Sequence, residues 1–134
     1  YIPEIHGIVD ALEDVGIETL CITGATSKKI RGKIISQFQS REEPRVIVIQ
    51  ISTGGVGITL TAAHTMIFYS LGRSYTDHTQ ACDRINRIGQ QSRLIKYIYL
   101  IAEDTVDELF WQSILDKKDI ADYTIDDLRE ILAG

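Results

Sequence analysis

Arg45-Val46-Ile47-Val48-Ile49-Gln50-Ile51 runs directly into Ser52-Thr53-Gly54-Gly55-Val56-Gly57. Five of the first seven residues are β-branched and do not alternate with polar ones, the pattern of a strand covered on both faces in a parallel sheet. In open α/β sheets ligands gather at the carboxyl ends of the strands, where this glycine-rich turn falls. Glycines let the backbone approach a ligand closely, and successive N–H groups there can cradle phosphate. The hydroxyls of Ser52 and Thr53 could add hydrogen bonds to a nucleic-acid backbone. Taken alone, a Gly-Gly-x-Gly is explained as well by a plain tight turn.

Working outward, residues 2–14 read as an amphipathic helix through Ile5, Ile8, Val9 and Leu12, stopped by Gly16. Residues 19–23 read as a strand. Ser27 caps a helix through Gln39, with Ile30, Ile34, Ile35 and Phe38 on its buried side, and Pro44 breaks the chain before the central strand. On the other side, 65–69 and 94–101 read as strands and 76–88 as the helix between them. Helices at 105–117 and 124–132 close the chain, the second opening with a Thr124-x-x-Asp127 capping box. Strands alternating with helices predict an α/β fold in three layers, a parallel sheet with helices on both faces.

The 134 residues suffice for one domain with a real core, and 44% apolar with 25% charged residues is ordinary for a globular protein. No apolar run approaches the roughly 20 residues that span a bilayer, and nothing at the start reads as a signal peptide. Cys21 and Cys82 lie far apart without ligand spacing, which predicts thiols in a reducing compartment inside the cell. The net charge of −5 argues against a nucleic-acid partner until it is divided along the chain. Residues 1–20 carry −5 and 103–130 carry −7, whereas 28–45 carry +4 and 73–96 carry +3. The acidic average hides a basic middle.

That middle contains Gln80-Ala81-Cys82-Asp83-Arg84-Ile85-Asn86-Arg87-Ile88-Gly89-Gln90. As a helix it places Gln80, Arg84 and Arg87 on one stripe, and Ala81, Ile85 and Ile88 on a core-facing stripe beside it. Two arginines side by side form a cationic fork that matches phosphate oxygens bidentately. An arginine finger uses that chemistry to stabilise a transferring phosphoryl group. The plainer alternative is a solvated helix face whose arginines pair with Asp83 and nearby acids. Lys28, Lys29, Arg31 and Lys33 pose the same choice between a solvated face and a phosphate-binding patch. His6, His64 and His78 share no metal-site spacing, and His78 with Cys82 makes at most half a zinc site, so no metal is expected. Trp111, among Leu109, Phe110, Ile114 and Leu115, reads as core or as an interface.

These segments together resemble the second RecA-like lobe of Swi/Snf-related superfamily-two helicases. Residues 80–90, ending Arg87-Ile88-Gly89-Gln90, resemble motif VI; residues 52–63 resemble motif V; Thr23-Gly24-Ala25-Thr26 with Arg31 and Phe38 resembles the lobe's Gly…Arg…Phe pattern. The matches occur in the family's order over residues 20–101. By that resemblance, Arg84 and Arg87 are the catalytic fingers, Gln80 positions them or the attacking water, and Gly55 and Gly57 line the nucleotide cleft. Thr26, Lys28, Lys29, Ser52 and Thr53 contact the DNA backbone, while Arg31 is structural. Asn86 stands where a His is usual and loop 52–57 is shorter than the common form, features of a divergent microbial or viral member.

The resemblance implies ATP and Mg2+ held mainly by an N-terminal RecA-like lobe of the same polypeptide, and double-stranded DNA as the track. The chain has no GxxxxGK[ST] loop of its own. It starts at Tyr1 rather than Met, and lobes of this family begin with a strand that this chain lacks, so a longer polypeptide is expected. Residues 1–103 are read as the lobe and 104–134 as a C-terminal helical extension. The expected activity is that of a DNA-dependent ATPase and duplex translocase, cytoplasmic and nucleoid-associated in a bacterium or virus, nuclear in a eukaryote. A stand-alone, non-catalytic α/β module binding a phosphate ligand or a protein is the alternative. A strand-separating helicase shares the lobe, but the Arg-Ile-Gly-Gln ending is typical of motors that do not unwind.

Overall fold

A computed structural model of the chain describes residues 2–51, 58–72, 74–117 and 119–133. The elements follow in the order α1 (Ile2–Asp14), β1 (Thr19–Ile22), α2 (Lys28–Gln39), β2 (Val46–Ile49), β3 (Thr65–Phe68), α3 (Tyr75–Asp83), β4 (Lys96–Tyr99), α4 (Val106–Asp116), a 3-10 turn (Ile120–Asp122) and α5 (Ile125–Ala133). The result is an α/β fold of small parallel sheets flanked by helices, as the alternation of strand and helix patterns predicts.

The chain forms two compact units. The first comprises residues 1–63 and 84–91. Here β1 and β2 pair in parallel from Thr19 opposite Val46 to Ile22 opposite Ile49. All four residues of β2 are half-buried, so neither face of this β-branched strand is fully open. α1 packs on both strands and α2 on β1. Ile5, Ile22, Phe38, Ile58, Leu60 and Ile85 are its buried apolar side chains among the described residues. Each such burial contributes roughly 1.5–3 kcal/mol, which fixes the register against a one-residue slip. α1 ends where Gly16 takes φ +84, a conformation that costs a glycine little, and its amide donates to the Glu13 carbonyl at 2.9 Å. Ser27 caps α2 as expected, its hydroxyl accepting from the Ile30 amide at 3.3 Å. Ile30 itself departs from expectation. It sits in the first turn of α2, 53% exposed, and the buried side of that helix begins at Ile34.

The second unit comprises residues 64–83 and 92–134. β3 and β4 pair in parallel from Thr65 opposite Lys96 to Phe68 opposite Tyr99. Alternation is clear: Phe68 and Tyr99 turn inward, and Ile67 and Ile98 are exposed on the other face. Thr105 caps α4, its hydroxyl accepting from the Asp107 amide at 3.2 Å. The capping box of α5 is reciprocal, with Thr124 Oγ1 accepting from the Asp127 amide at 3.1 Å and Asp127 Oδ2 from the Thr124 amide at 2.9 Å. No helix among the described residues is long and apolar enough to cross a membrane.

Candidate functional site

The helix expected over residues 76–88 ends at Asp83. Two donors hold the chain beyond that stop in its non-helical course. The Leu60 amide donates to the Arg84 carbonyl at 2.7 Å, and Gln90 Nε2 donates to the Ile85 carbonyl at 2.9 Å. The chain then turns at Gly89, whose φ of +104 suits glycine and which would bring a Cβ within 3.6 Å of Thr61 Oγ1. Residues 84–90 are therefore a fastened turn, and the single helical stripe of Gln80, Arg84 and Arg87 does not form. Ala81 and Ile85 are buried as expected, whereas Ile88, at 102% exposure, is fully outside the core.

The two arginines fare differently. Arg84 is 7% exposed, and its Nη2 donates to the Ile51 carbonyl at 3.3 Å. That burial removes the solvated-face alternative for Arg84. Arg87 is exposed, and its Nη1 donates to the Ile58 carbonyl at 3.3 Å. The acceptors are the described residues on either side of loop 52–57. Gln80 is exposed on α3, in the second unit, while both arginines belong to the first. Ser52, Thr53, Gly55 and Gly57 lie outside the described residues.

Around α2, the Thr26 hydroxyl accepts from the Thr23 amide at 3.0 Å and the Thr26 carbonyl accepts from Arg31 Nη2 at 3.5 Å. Arg31 thus braces the turn from within, in keeping with a structural role. Lys28 and Lys29 are exposed in the first turn of α2. A phosphate there would meet both cations and the helix dipole.

Of three side chains that frame this region, Gln39 lies outside the motifs, and Thr61 and Gln90 lie inside them with no role assigned from the sequence. Gln39 Nε2 donates to Thr61 Oγ1 at 3.0 Å, and its Oε1 accepts from the Ala62 amide at 2.8 Å. Gln90 Nε2 also donates to the Ala63 carbonyl at 2.7 Å. Buried Thr61 lies between them. Gln90 and the Leu60–Arg84 bond sew residues 58–63 to the arginine turn, and Gln39 ties them to α2. Replacing Gly89 by Ala forces a β-carbon onto positive φ, which costs roughly 1–2 kcal/mol. A lowered melting temperature for Gly89→Ala, with the exposed Gly7→Ala as the comparison, is the expected result.

In the second unit an aromatic cluster surrounds His78. Its Nε2 lies 2.7 Å from the Tyr99 hydroxyl and 3.7 Å from Cys82 Sγ, and the Phe68 ring is stacked on Tyr99 at 4.9 Å. Half-buried Trp111 packs against Tyr99 at 4.7 Å as part of this cluster. Burial pushes the Cys82 thiol up to about 11, with Asp83 adding to it, and burial pushes the Tyr99 phenol up to about 12. Both are neutral at physiological pH. Burial also holds the His78 imidazole below its ordinary 6.5. A folded-state value below the unfolded one gives stability that is full above 6.5 and is lost as pH falls through the folded value. Between about pH 7 and about pH 5, wild type should lose more thermal stability than His78→Gln. Among the described residues no group of three or more His, Cys, Asp or Glu side chains is placed to hold a metal ion.

The model of the helicase conserved C-terminal domain matches residues 3–89. The chain belongs to that family. Its relatives include Swi/Snf-related proteins, in keeping with the branch that the motifs resemble. It is similar to an uncharacterized ATP-dependent helicase of Mycoplasma pneumoniae (strain ATCC 29342 / M129 / Subtype 1), 32% identical over 125 residues, covering 93% of this chain and 12% of that protein. A second relative is the SWI/SNF-related matrix-associated actin-dependent regulator of chromatin subfamily A-like protein 1 homolog of Caenorhabditis elegans, 36% identical over 99 residues, with 74% and 14% covered. Among solved structures the C-terminal part of the Fun30 ATPase domain shares the fold, with a TM-score of 0.79, 23% identity, and 98% of this chain and 43% of that one covered. The lobe thus spans about an eighth of the length of these curated relatives.

Proposed function

We propose that this lobe is the second half of an ATP-dependent translocase on double-stranded DNA, acting with an N-terminal RecA-like lobe of the same polypeptide. The observation that carries the reading is the pairing of buried Arg84 with exposed Arg87 on one fastened turn. A buried arginine anchors the turn, and an exposed one next to it presents a guanidinium that stays charged. Arg87 reaches the γ-phosphate of ATP held by the first lobe and stabilises charge developing there; Arg84 holds the turn and lends its field. Gln80 orients the attacking water. Gly55 and Gly57 serve nucleotide binding, and Ser52 and Thr53 contact the DNA backbone. Residues 1–103 form the lobe and 104–134 its helical extension. It works inside the cell, with the DNA it moves on.

The donor set of the described residues fits the phosphate end of ATP through guanidinium groups. Mg2+ and the main phosphate cradle belong to the first lobe, so this chain alone should hydrolyse no appreciable ATP. A polypeptide carrying both lobes should hydrolyse it, faster with blunt duplex DNA. DNA-stimulated turnover by the isolated lobe, or none by the two-lobed protein, contradicts the assignment.

Thr26, Lys28 and Lys29 hold the DNA backbone. Each lysine phosphate contact releases counterions, so Lys28→Ala with Lys29→Ala should weaken duplex binding for all sequences alike. The slope of log affinity against log salt should fall by about 2. An unchanged slope moves the DNA contact elsewhere.

A further inference from the structure

The first turn of α3 is satisfied from two directions. Ser74 Oγ accepts from the Asp77 amide at 3.1 Å, a local cap. The Tyr75 amide, at the helix start, donates to Asp119 Oδ1 at 2.6 Å, across 44 residues of sequence. A carboxylate at a helix amino end also meets the positive end of the helix dipole.

Asp119 is itself held in place. α4 ends at Lys117 in the left-handed conformation, with φ 55. The Asp119 carbonyl then accepts from the Asp122 amide at 3.0 Å, opening the 3-10 turn. Beyond that turn, the Tyr123 hydroxyl donates to Asp116 Oδ2 at 2.7 Å, closing the segment back on the end of α4. A second tie reaches α3 from the same side, since Trp111 of α4 packs on Tyr99, whose hydroxyl meets His78 one turn into α3. The C-terminal segment thus grips α3 at its first amide and at its inward face. Helix α3 carries Gln80, and Arg84 is the next residue after its end.

We propose that Asp119 is a positioning residue: its carboxylate lets the C-terminal segment set the pose of α3, and with it that of Gln80. This inference rests on the translocase reading for its effect on turnover, and on the contact alone for its effect on α3. It makes residues 104–134 part of the motor's working geometry. Their chemistry is that of a strut, because Asp119 touches neither ATP nor DNA.

The test uses the two-lobed parent polypeptide, as wild type, Asp119→Ala, Asp119→Asn and the exposed control Asp126→Ala. Amide hydrogen exchange over residues 75–83 and steady-state ATP hydrolysis with duplex DNA are both measured. Asp119→Ala should speed exchange in α3 roughly five- to tenfold and lower kcat by a similar factor, the usual weight of a helix cap. The KM for ATP should stay within about twofold, because no ATP contact is lost. Asp119→Asn keeps an acceptor oxygen and should recover most of both effects, while Asp126→Ala should match wild type. Exchange and kcat both unchanged in Asp119→Ala overturn the proposal. Faster exchange at unchanged kcat also overturns it, leaving a cap without a positioning role. If wild type itself does not turn over, the translocase reading has failed, and the exchange data alone then decide whether Asp119 holds α3.

Discussion

Replacing Arg87 by Ala in the two-lobed protein should lower kcat for ATP hydrolysis by roughly 10³–10⁵ while leaving ATP binding nearly intact. Arg87 is exposed and its guanidinium donates to the Ile58 carbonyl, so its removal leaves no buried charge. What disappears is charge stabilisation made chiefly in the transition state, which lowers kcat without raising KM. Arg84→Ala should differ. That side chain is 7% exposed and donates to the Ile51 carbonyl at 3.3 Å, so its loss removes packing and strands an acceptor. It should cost about 2 kcal/mol of stability as well as turnover. Measuring melting temperature, ATP affinity and kcat for both variants separates the finger from its anchor. Equal loss of ATP binding and turnover in Arg87→Ala would make Arg87 a structural residue too.

The second large effect is expected from Gln90. Its side-chain amide donates to the carbonyls of both Ala63 and Ile85, at 2.7 and 2.9 Å, and so holds the arginine turn against residues 58–63. Truncation to Ala leaves two carbonyls without that donor in a half-buried setting, which costs about 2 kcal/mol. For a protein of this size that is a fall in melting temperature of roughly 6–10 °C. Glu at the same position keeps the length but replaces the donor with an acceptor, so Gln90→Glu should be as damaging as Gln90→Ala. A melting temperature unchanged in both variants would show that the turn is held by its other bonds.

Much of this was legible before any coordinates. Ile5, Ile8, Val9 and Leu12 repeat at helical spacing over residues 2–14, and that helix forms with those ends. The caps at Ser27 and Thr124 could be read because a cap is a local bond between near neighbours. Parallel pairing followed from the alternation of β-branched strands with helices, and family membership from three motifs in order. The arginine turn could not be read this way. Its apolar spacing at Ala81, Ile85 and Ile88 favours a helix, whereas the turn that forms is held by bonds from Leu60 and from the Gln90 side chain. Gln39 and Gln90 were illegible as braces because a glutamine reads alike whether it faces water or a buried carbonyl. Asp119 was hidden for a related reason. Among the acids of the C-terminal segment it looks like one more solvated charge, and only the fold brings it to Tyr75.

Translocation along duplex DNA is the centre of this account, and displacement of a triplex-forming strand measures it directly. The two-lobed protein, given ATP and a duplex bearing a bound third strand, should release that strand while the underlying duplex stays paired. Release should vanish with a non-hydrolysable ATP analogue and in Arg87→Ala. ATP hydrolysis without release of the third strand, or separation of the duplex strands themselves, would contradict the account.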